Sequence, residues 1–410
     1  MTYNNILDTI GNTPIVELAK MDTGLCRLFV KLENQNPGGS IKDRIGLSMI
    51  NAAEEQGKLK PGGTIIEATA GNTGIGLALV ARMKGYNIKL VIPDKMSQKK
   101  INHLRAMGVE IIITRSDVGK GHPDYYQDLA VSIAKETGAF YVNQFENPAN
   151  PLAHQTTTGP EIWEQMDHDV DAIVVGVGSS GTMTGLTHFF KNRKVEPEMI
   201  LADPKGSVLA EYVNTGRINS EAGSSSGTLI CAALKYCREQ TTPKKVVTFV
   251  CDNGNKYLSK MYNDYWLLDQ GLYKRKTYGD LRDIITRRFE DNATIFVSPD
   301  DTLNTAYCRM KLYDISQIPV LTGTKVVGIV DESDLLLALY SKRQNMGNKI
   351  EEIMTKDLIT IKSSETLDPL IKILNAGLVA IIEDKNGTFQ GLITKIDLIN
   401  YLNKGNINRQ

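Results

Sequence analysis

Lys42 stands where a side-chain amine could act as a nucleophile. It follows the turn Asn36-Pro37-Gly38-Gly39-Ser40 and opens a stretch in which Ile41, Ile45, Met49 and Ala52 recur at helical spacing before Gly57. That spacing predicts a helix beginning near Lys42, with Ser40 accepting from the first free N–H groups. The positive end of the helix dipole lowers an amine's pKa and favours an imine-forming lysine. A lone lysine in a first helical turn is better read as an ordinary solvated side chain. Its company elsewhere in the chain favours the chemical reading.

Two further glycine-rich loops supply that company. Glu67-Ala68-Thr69-Ala70-Gly71-Asn72-Thr73-Gly74-Ile75-Gly76 follows the apolar run Thr64-Ile65-Ile66 and precedes a helical pattern that reaches Lys84-Gly85. A strand, a polar glycine loop and a helix gather free N–H groups into an anion site, to which Thr69, Asn72 and Thr73 add hydrogen bonds. Taken alone, this loop is as well read as a plain strand-to-helix turn. The second loop, Gly176-Val177-Gly178-Ser179-Ser180-Gly181-Thr182-Met183-Thr184-Gly185, follows the strand-like run Asp171 to Val175. Its spacing matches neither the G-x-x-x-x-G-K-[ST] loop nor a clean G-x-G-x-x-G fingerprint, so the inference is a single phosphate. A fixed lysine, a carboxylate loop and a phosphate loop together suit pyridoxal phosphate with an amino-acid substrate.

These motifs resemble fold-type II pyridoxal-phosphate enzymes, and within them the cystathionine β-synthase family. The matching segments run from Gly11-Asn12-Thr13-Pro14 to about Asp252 and include Gln144 to Pro151 and Ala222 to Gly227. The resemblance implies that Lys42 carries the cofactor, that Asn72 bonds the ring's 3′-oxygen and that Ser225 faces the pyridine nitrogen. It implies a phosphate cradle of Gly178, Ser179, Ser180, Gly181 and Thr182, and a substrate-carboxylate site of Thr69, Ala70, Asn72, Thr73 and Gln144. The implied reaction is β-replacement joining L-serine to L-homocysteine, with hydrogen sulfide formation as a related activity. Cysteine synthases, which use O-acetylserine and sulfide, share nearly all these motifs. Asp203 to Ser207, Cys251 to Met261 and the C-terminal extension tilt the resemblance toward cystathionine β-synthase.

The chain departs from the family's pattern in places. Ala70 stands where many relatives have Ser, Ser180 where Gly is common, and Phe145 where some have Tyr. The stretch Asn214 to Ala222 runs almost directly into the Ser225 motif, where the family usually has several tens of residues, including a closing loop. This shortening leaves a third reading, a catalytically impaired sensor of adenosyl nucleotides.

The elements that must position these loops form an alternation. Ile88 to Ile92, Val109 to Thr114, Phe140 to Val142, Ala172 to Gly176, Met199 to Ala202 and Val246 to Cys251 read as strands. Ser97 to Met107, Pro123 to Thr137, Leu152 to Met166 and Ser226 to Glu239 read as helices. The expected fold class is α/β, doubly wound and mostly parallel, with ligands at the carboxyl ends of the strands.

The C-terminal third is a repeat. Val297-Ser298-Pro299-Asp300-Asp301-Thr302-Leu303 recurs as Ile361-Lys362-Ser363-Ser364-Glu365-Thr366-Leu367, an offset of 64. Gly328 to Leu335 recurs as Gly391 to Leu398, an offset of 63. The pattern resembles tandem CBS domains, a Bateman module of α+β type, in which the paired units share one core. That resemblance implies an adenosyl effector, S-adenosylmethionine or AMP, between the repeats. Asp397 would take the ribose hydroxyls, Thr394 a neighbouring polar group, and backbone near Ile315 and Gln317 the base. Asp331 replaces the threonine in the first repeat and would repel a phosphate, so one good site is expected. A dimerisation module without ligand is the alternative. The expected organisation is a catalytic domain over 1–255, an ordered connector over 256–278, and repeats over 279–342 and 343–405.

Bulk properties exclude several classes. Lys+Arg and Asp+Glu are both 47, so no basic excess points to nucleic acid or an anionic membrane. No run is long enough for a membrane span, and Met1-Thr2-Tyr3-Asn4-Asn5 lacks a signal pattern. The five cysteines, Cys26, Cys231, Cys237, Cys251 and Cys308, show no metal spacing and read mostly as reduced packing residues. No metal is expected, and without a Cys/His pair ahead of the catalytic motifs, no haem. The chain reads as cytoplasmic, and the resemblance implies a homodimer or higher homo-oligomer.

Overall fold

The apolar runs assemble into two mostly parallel sheets, in keeping with the expected α/β class. The computed structural model describes residues 2–69, 71–96, 98–203, 226–258, 261–269, 272, 275–340 and 345–407. It divides into two compact units, Met1–Leu258 and Ser259–Gln410.

In the first unit the elements are β1 (Ile15–Glu17), β2 (Arg27–Lys31), α1 (Lys42–Glu55), β3 (Thr64–Glu67), α2 (Asn72–Lys84), β4 (Asn87–Pro93), α3 (Gln98–Ala106), β5 (Glu110–Thr114), α4 (Tyr126–Thr137) and β6 (Phe140–Tyr141). They continue as α5 (Ala149–Ala153), α6 (Gly159–Gln165), β7 (Ala172–Val175), α7 (Gly181–Asn192), β8 (Glu198–Leu201), α8 (Ser226–Arg238) and β9 (Lys245–Phe249). One sheet has the order β1-β2-β9-β7-β8, and the other β5-β4-β3-β6. Among the described residues, all pairings between these strands are parallel except β1 on β2. Strands such as β7, buried throughout, are the continuous apolar runs expected of sheets covered on both faces.

The chain begins in one sheet, builds the other, and returns. The carboxyl ends of β3, β7 and β9 therefore lead into the Asn72 loop, the Gly178 loop and the Asp252 segment. The helix expected over Leu152 to Met166 is broken: a π-turn, His154–Thr158, separates α5 from α6. Such turns are frequent at functional sites, and no local sequence signal marks this one. Cys26 and Cys237 are buried as packing residues, but Cys231 and Cys308 are exposed, because they fall on outward faces of their helices.

The second unit holds α9 (Asp264–Asp269), α10 (Leu303–Tyr313), β10 (Gln317–Thr322), β11 (Lys325–Asp331), α11 (Glu332–Tyr340), β12 (Thr360–Lys362), α12 (Leu367–Asn375), β13 (Ala380–Glu383), β14 (Phe389–Ile393) and α13 (Lys395–Ile407). The order helix, hairpin, helix occurs twice, as the repeat predicts. The repeats exchange flanking segments. Leu281, Ile284 and Ile285 pack with Leu370, Leu374 and Ile382 of the second repeat. Met346, Ile350 and Met354 pack with Leu303, Val320 and Val330 of the first. Each repeat thus has its own core, and a smaller cluster around Leu321, Ile381 and Phe389 joins them. The single shared core expected from the sequence is replaced by this exchange, because each hairpin needs a covering segment that only the neighbouring stretch of chain supplies.

Candidate active site

Lys42 is the first residue of α1, and its backbone N–H donates to Ser40 Oγ at 3.3 Å. The turn before it is held from within: Gly38 N–H donates to Asp43 Oδ2 at 2.5 Å. Burial pushes the Asp43 carboxyl up to about 7. Two residues past Lys42, the Arg44 guanidinium is gripped on both sides. It donates to both oxygens of Glu33 at 2.8 Å and to both oxygens of Glu161 at 2.7 Å. Such two-pronged pairs fix geometry as well as charge. They anchor the first turn of α1 to the segment after β2 and to α6.

The Lys42 amine is half-buried and has no hydrogen-bond or carboxylate partner among the described residues. Burial lowers its pKa below that of an ordinary lysine. His154, in the π-turn, is fully buried, and burial together with the Lys42 and Arg44 charges keeps its imidazole neutral. Its Nδ1 lies 2.9 Å from Thr158 Oγ1 and its Nε2 3.2 Å from Thr182 Oγ1. His154 therefore supports the expected phosphate loop from beneath, a role that the sequence did not reveal.

That loop leads into the N-terminus of α7, a 12-residue helix. Ser180 adopts φ 63° there. This left-handed backbone explains why glycine is common at the position, and a side chain costs roughly 1 kcal/mol. A Cβ at Gly181 would collide with the Asn150 carboxamide, so only glycine lets the loop close down on Asn150. Asn150 Nδ2 donates to Ser179 Oγ at 3.0 Å and to the Gln144 carbonyl at 2.7 Å. It joins the expected phosphate loop to the expected carboxylate site.

Of the residues expected at the substrate carboxylate, Thr73 and Gln144 are brought together. Thr73 Oγ1 donates to Gln144 Oε1 at 2.7 Å, which turns the Gln144 amide nitrogen away from Thr73. Thr69 Oγ1 accepts from Gly71 N–H at 3.1 Å and shapes the loop. Glu67, buried at the end of β3, accepts from the backbone N–H groups of Ala68 at 2.8 Å and Gln144 at 3.1 Å. Burial pushes its carboxyl up to about 7. Asn72, the first residue of α2, contacts Asp252 and Lys256 from beyond β9. Ala70 and Ser225 lie outside the described residues, as does the shortened stretch near Ser220.

The residues present fit pyridoxal phosphate. A half-buried amine without a hydrogen-bond or carboxylate partner among the described residues suits an aldehyde, the glycine-lined start of α7 suits a phosphate, and the Asn72 carboxamide suits a ring oxygen.

In the second unit, a cavity of about 560 Å³ is lined by Ile315, Gln317, Thr394 and Asp397, with Thr286 and Arg287. All four expected effector residues thus share one cavity. Asp397 Oδ2 accepts from the Thr394 hydroxyl at 2.5 Å and its backbone N–H at 2.8 Å, and Oδ1 accepts from Thr286 Oγ1 at 2.5 Å. In the first repeat, Asp331 and Asp334 instead accept from each other's backbone N–H, at 2.9 and 3.0 Å, and neither lines this cavity.

Comparison with known proteins identifies the family. The profile of the family "Pyridoxal-phosphate dependent enzyme" matches residues 6–226, and that of the CBS domain matches 281–341 and 350–404. A cystathionine beta-synthase of Dictyostelium discoideum is 32% identical over 98% of this chain and 93% of its own length. The chain belongs to the cystathionine β-synthase family of pyridoxal-phosphate-dependent enzymes. The alignment with that relative runs over 464 positions, more than the 410 residues of this chain, so the chain lacks stretches that the relative has. A cysteine synthase of Staphylococcus aureus is 38% identical over 62% of this chain and 96% of its own length. Among solved structures, a hydrogen sulfide-producing enzyme from Fusobacterium nucleatum is 31% identical with a TM-score of 0.56, over 62% of this chain and 98% of that one. No helix among the described residues is long and apolar enough to cross a membrane.

Proposed function

We propose that this family member joins L-serine to L-homocysteine by β-replacement, giving L-cystathionine and water. The observation that carries the chemistry is the Lys42 amine, half-buried and without a hydrogen-bond or carboxylate partner among the described residues, at the start of α1. When bound, pyridoxal phosphate supplies an electron sink for the charge left at the substrate's Cα. Lys42 would hold the cofactor, and then, as a free amine, take the Cα proton and pass a proton to the departing hydroxyl. Its lowered pKa suits that double duty. Thr69, Ala70, Asn72, Thr73 and Gln144 bind the substrate carboxylate, and Gly178 to Thr182 the cofactor phosphate. Asn72 faces the ring oxygen and Ser225 the ring nitrogen. The homocysteine thiol then takes the hydroxyl's place on the β-carbon.

The likeness to cystathionine β-synthases over nearly the whole chain supports serine and homocysteine. The 38% identity to a cysteine synthase favours, as a second reading, O-acetylserine and sulfide. The cavity at Thr394 and Asp397 would hold an adenosyl effector, S-adenosylmethionine or AMP, and the enzyme would work in the cytoplasm as a homodimer or larger homo-oligomer.

The visible absorption of the purified protein tests the reaction, recorded before and after serine, then homocysteine, with the product identified by mass. A cofactor band that responds to serine and is restored by homocysteine, with cystathionine formed, supports the proposal. A response to O-acetylserine alone moves the assignment to cysteine synthase. No cofactor band would leave a sensor.

A further inference from the structure

Lys256 lies in the short 3-10 turn Gly254–Tyr257, beyond the last strand of the first unit, yet its amine reaches back into the site. It donates to the carbonyl oxygens of Gly38 and Gly39, both at 3.1 Å, and to Asn72 Oδ1 at 3.0 Å. An ammonium has three donors and no acceptor, so every donor is matched. On its other side, Asn72 Nδ2 donates to Asp252 Oδ2 at 2.7 Å, and the same oxygen accepts from the Tyr257 hydroxyl at 2.6 Å.

The carboxamide of Asn72 is therefore held with its oxygen on a cation and its nitrogen on an anion. Turning it over would set N–H groups against the ammonium and a carbonyl against the carboxylate, and both contacts would repel. The two glycine carbonyls belong to the turn just ahead of Lys42. One amine thus links the turn that presents Lys42 to the residue that opens α2. Lys256 is half-buried, and charge-assisted hydrogen bonds are stronger than neutral ones. A bond to Asn72 alone would fix one helix; the bonds to Gly38 and Gly39 make it a clamp across two loops.

We propose that Lys256 is a positioning residue: with Asp252 it fixes the orientation of the Asn72 carboxamide, and it clamps the Gly38–Gly39 turn ahead of Lys42. The inference rests on the reading of Asn72 as the residue that faces the cofactor's ring oxygen.

Lys256→Met, Lys256→Arg, Asn72→Ala and the double variant Lys256→Met with Asn72→Ala test it. The readouts are the dissociation constant of pyridoxal phosphate, the induced circular dichroism of the bound cofactor, and the melting temperature of the cofactor-free protein. Loss of the charged hydrogen bonds weakens cofactor binding about tenfold and alters the induced signal, which reports ring orientation. Lys256→Arg retains most of both. In the Asn72→Ala background, Lys256→Met has a smaller effect, because the part of its action that runs through Asn72 is already lost. Unchanged affinity and dichroism in Lys256→Met, or fully additive losses in the double variant, would overturn the proposal. If Lys256→Met does not fold, Lys256→Gln, which drops the charge and keeps a donor, carries the same comparison. A wild-type protein that takes up no pyridoxal phosphate would fail the functional reading instead. The clamp is then read from thermal unfolding, where Lys256→Met and Asn72→Ala must couple rather than add.

Discussion

Gly76 lies against the main chain of Lys42: a Cβ built at Gly76 would stand 2.7 Å from the Lys42 carbonyl oxygen. A Cβ at Gly46 would stand 2.7 Å from the Gly76 carbonyl carbon. Helices α1 and α2 therefore touch backbone to backbone just inside the ends that carry Lys42 and Asn72. The distance between the two candidate cofactor residues is set by the absence of two side chains. Gly76→Ala forces the helices apart and destabilises the first unit by about 1–3 kcal/mol, as overpacking does. Thermal unfolding measures it, and an unchanged melting temperature would show that the helices can slide without cost.

Removing the Lys42 amine separates chemistry from stability. Lys42→Ala lowers the proposed β-replacement turnover by about 10³-fold or more, since it deletes the proposed cofactor anchor and proton carrier together. Folding survives, because the amine has no hydrogen-bond partner among the described residues to lose. Steady-state rates and circular dichroism of the same preparation decide the matter; full activity would sink the assignment.

Glu161 gives stability a dependence on pH. Burial alone would raise its carboxyl, but Arg44 and Lys31 outweigh burial and hold it at about 2, below the usual 4.5. A depressed carboxylate contributes stability above its unfolded pKa and loses it as pH falls through the folded value. Glu161→Gln, which leaves Arg44 short of a charged partner, costs about 3 kcal/mol at neutral pH. The gap between wild type and variant narrows as pH falls from about 4.5 toward 2. Denaturant unfolding at a series of pH values measures that gap. A gap that stays constant across this range would mean the ion pair contributes nothing.

Asp397 carries the effector prediction. Both its oxygens already accept from threonine hydroxyls, so its carboxylate is oriented before any ligand arrives. Asp397→Asn weakens an adenosyl ligand by about tenfold or more and leaves turnover without effector unchanged. Calorimetry with S-adenosylmethionine and with AMP reads the binding. No heat with either ligand in the wild type would leave the repeats a structural role.

Much of this was legible in the chain alone. The Lys42 turn, the Asn72 loop and the Gly178 loop are local motifs, each set by a few adjacent residues whose types suit one backbone path. The parallel α/β class follows from apolar runs alternating with helical patterns, and the repeat from self-similarity at offsets of 63 and 64. Tertiary structure decided what depends on residues far apart in sequence. Which strands join which sheet, the π-turn that sets His154 under Thr182, and the exchange of flanking segments between the repeats leave no local trace. Nor does the reach of Lys256 to Asn72, across 184 positions. Periodicity reports which face of an element is buried, whereas these contacts depend on which elements meet there, and only the packed chain determines that.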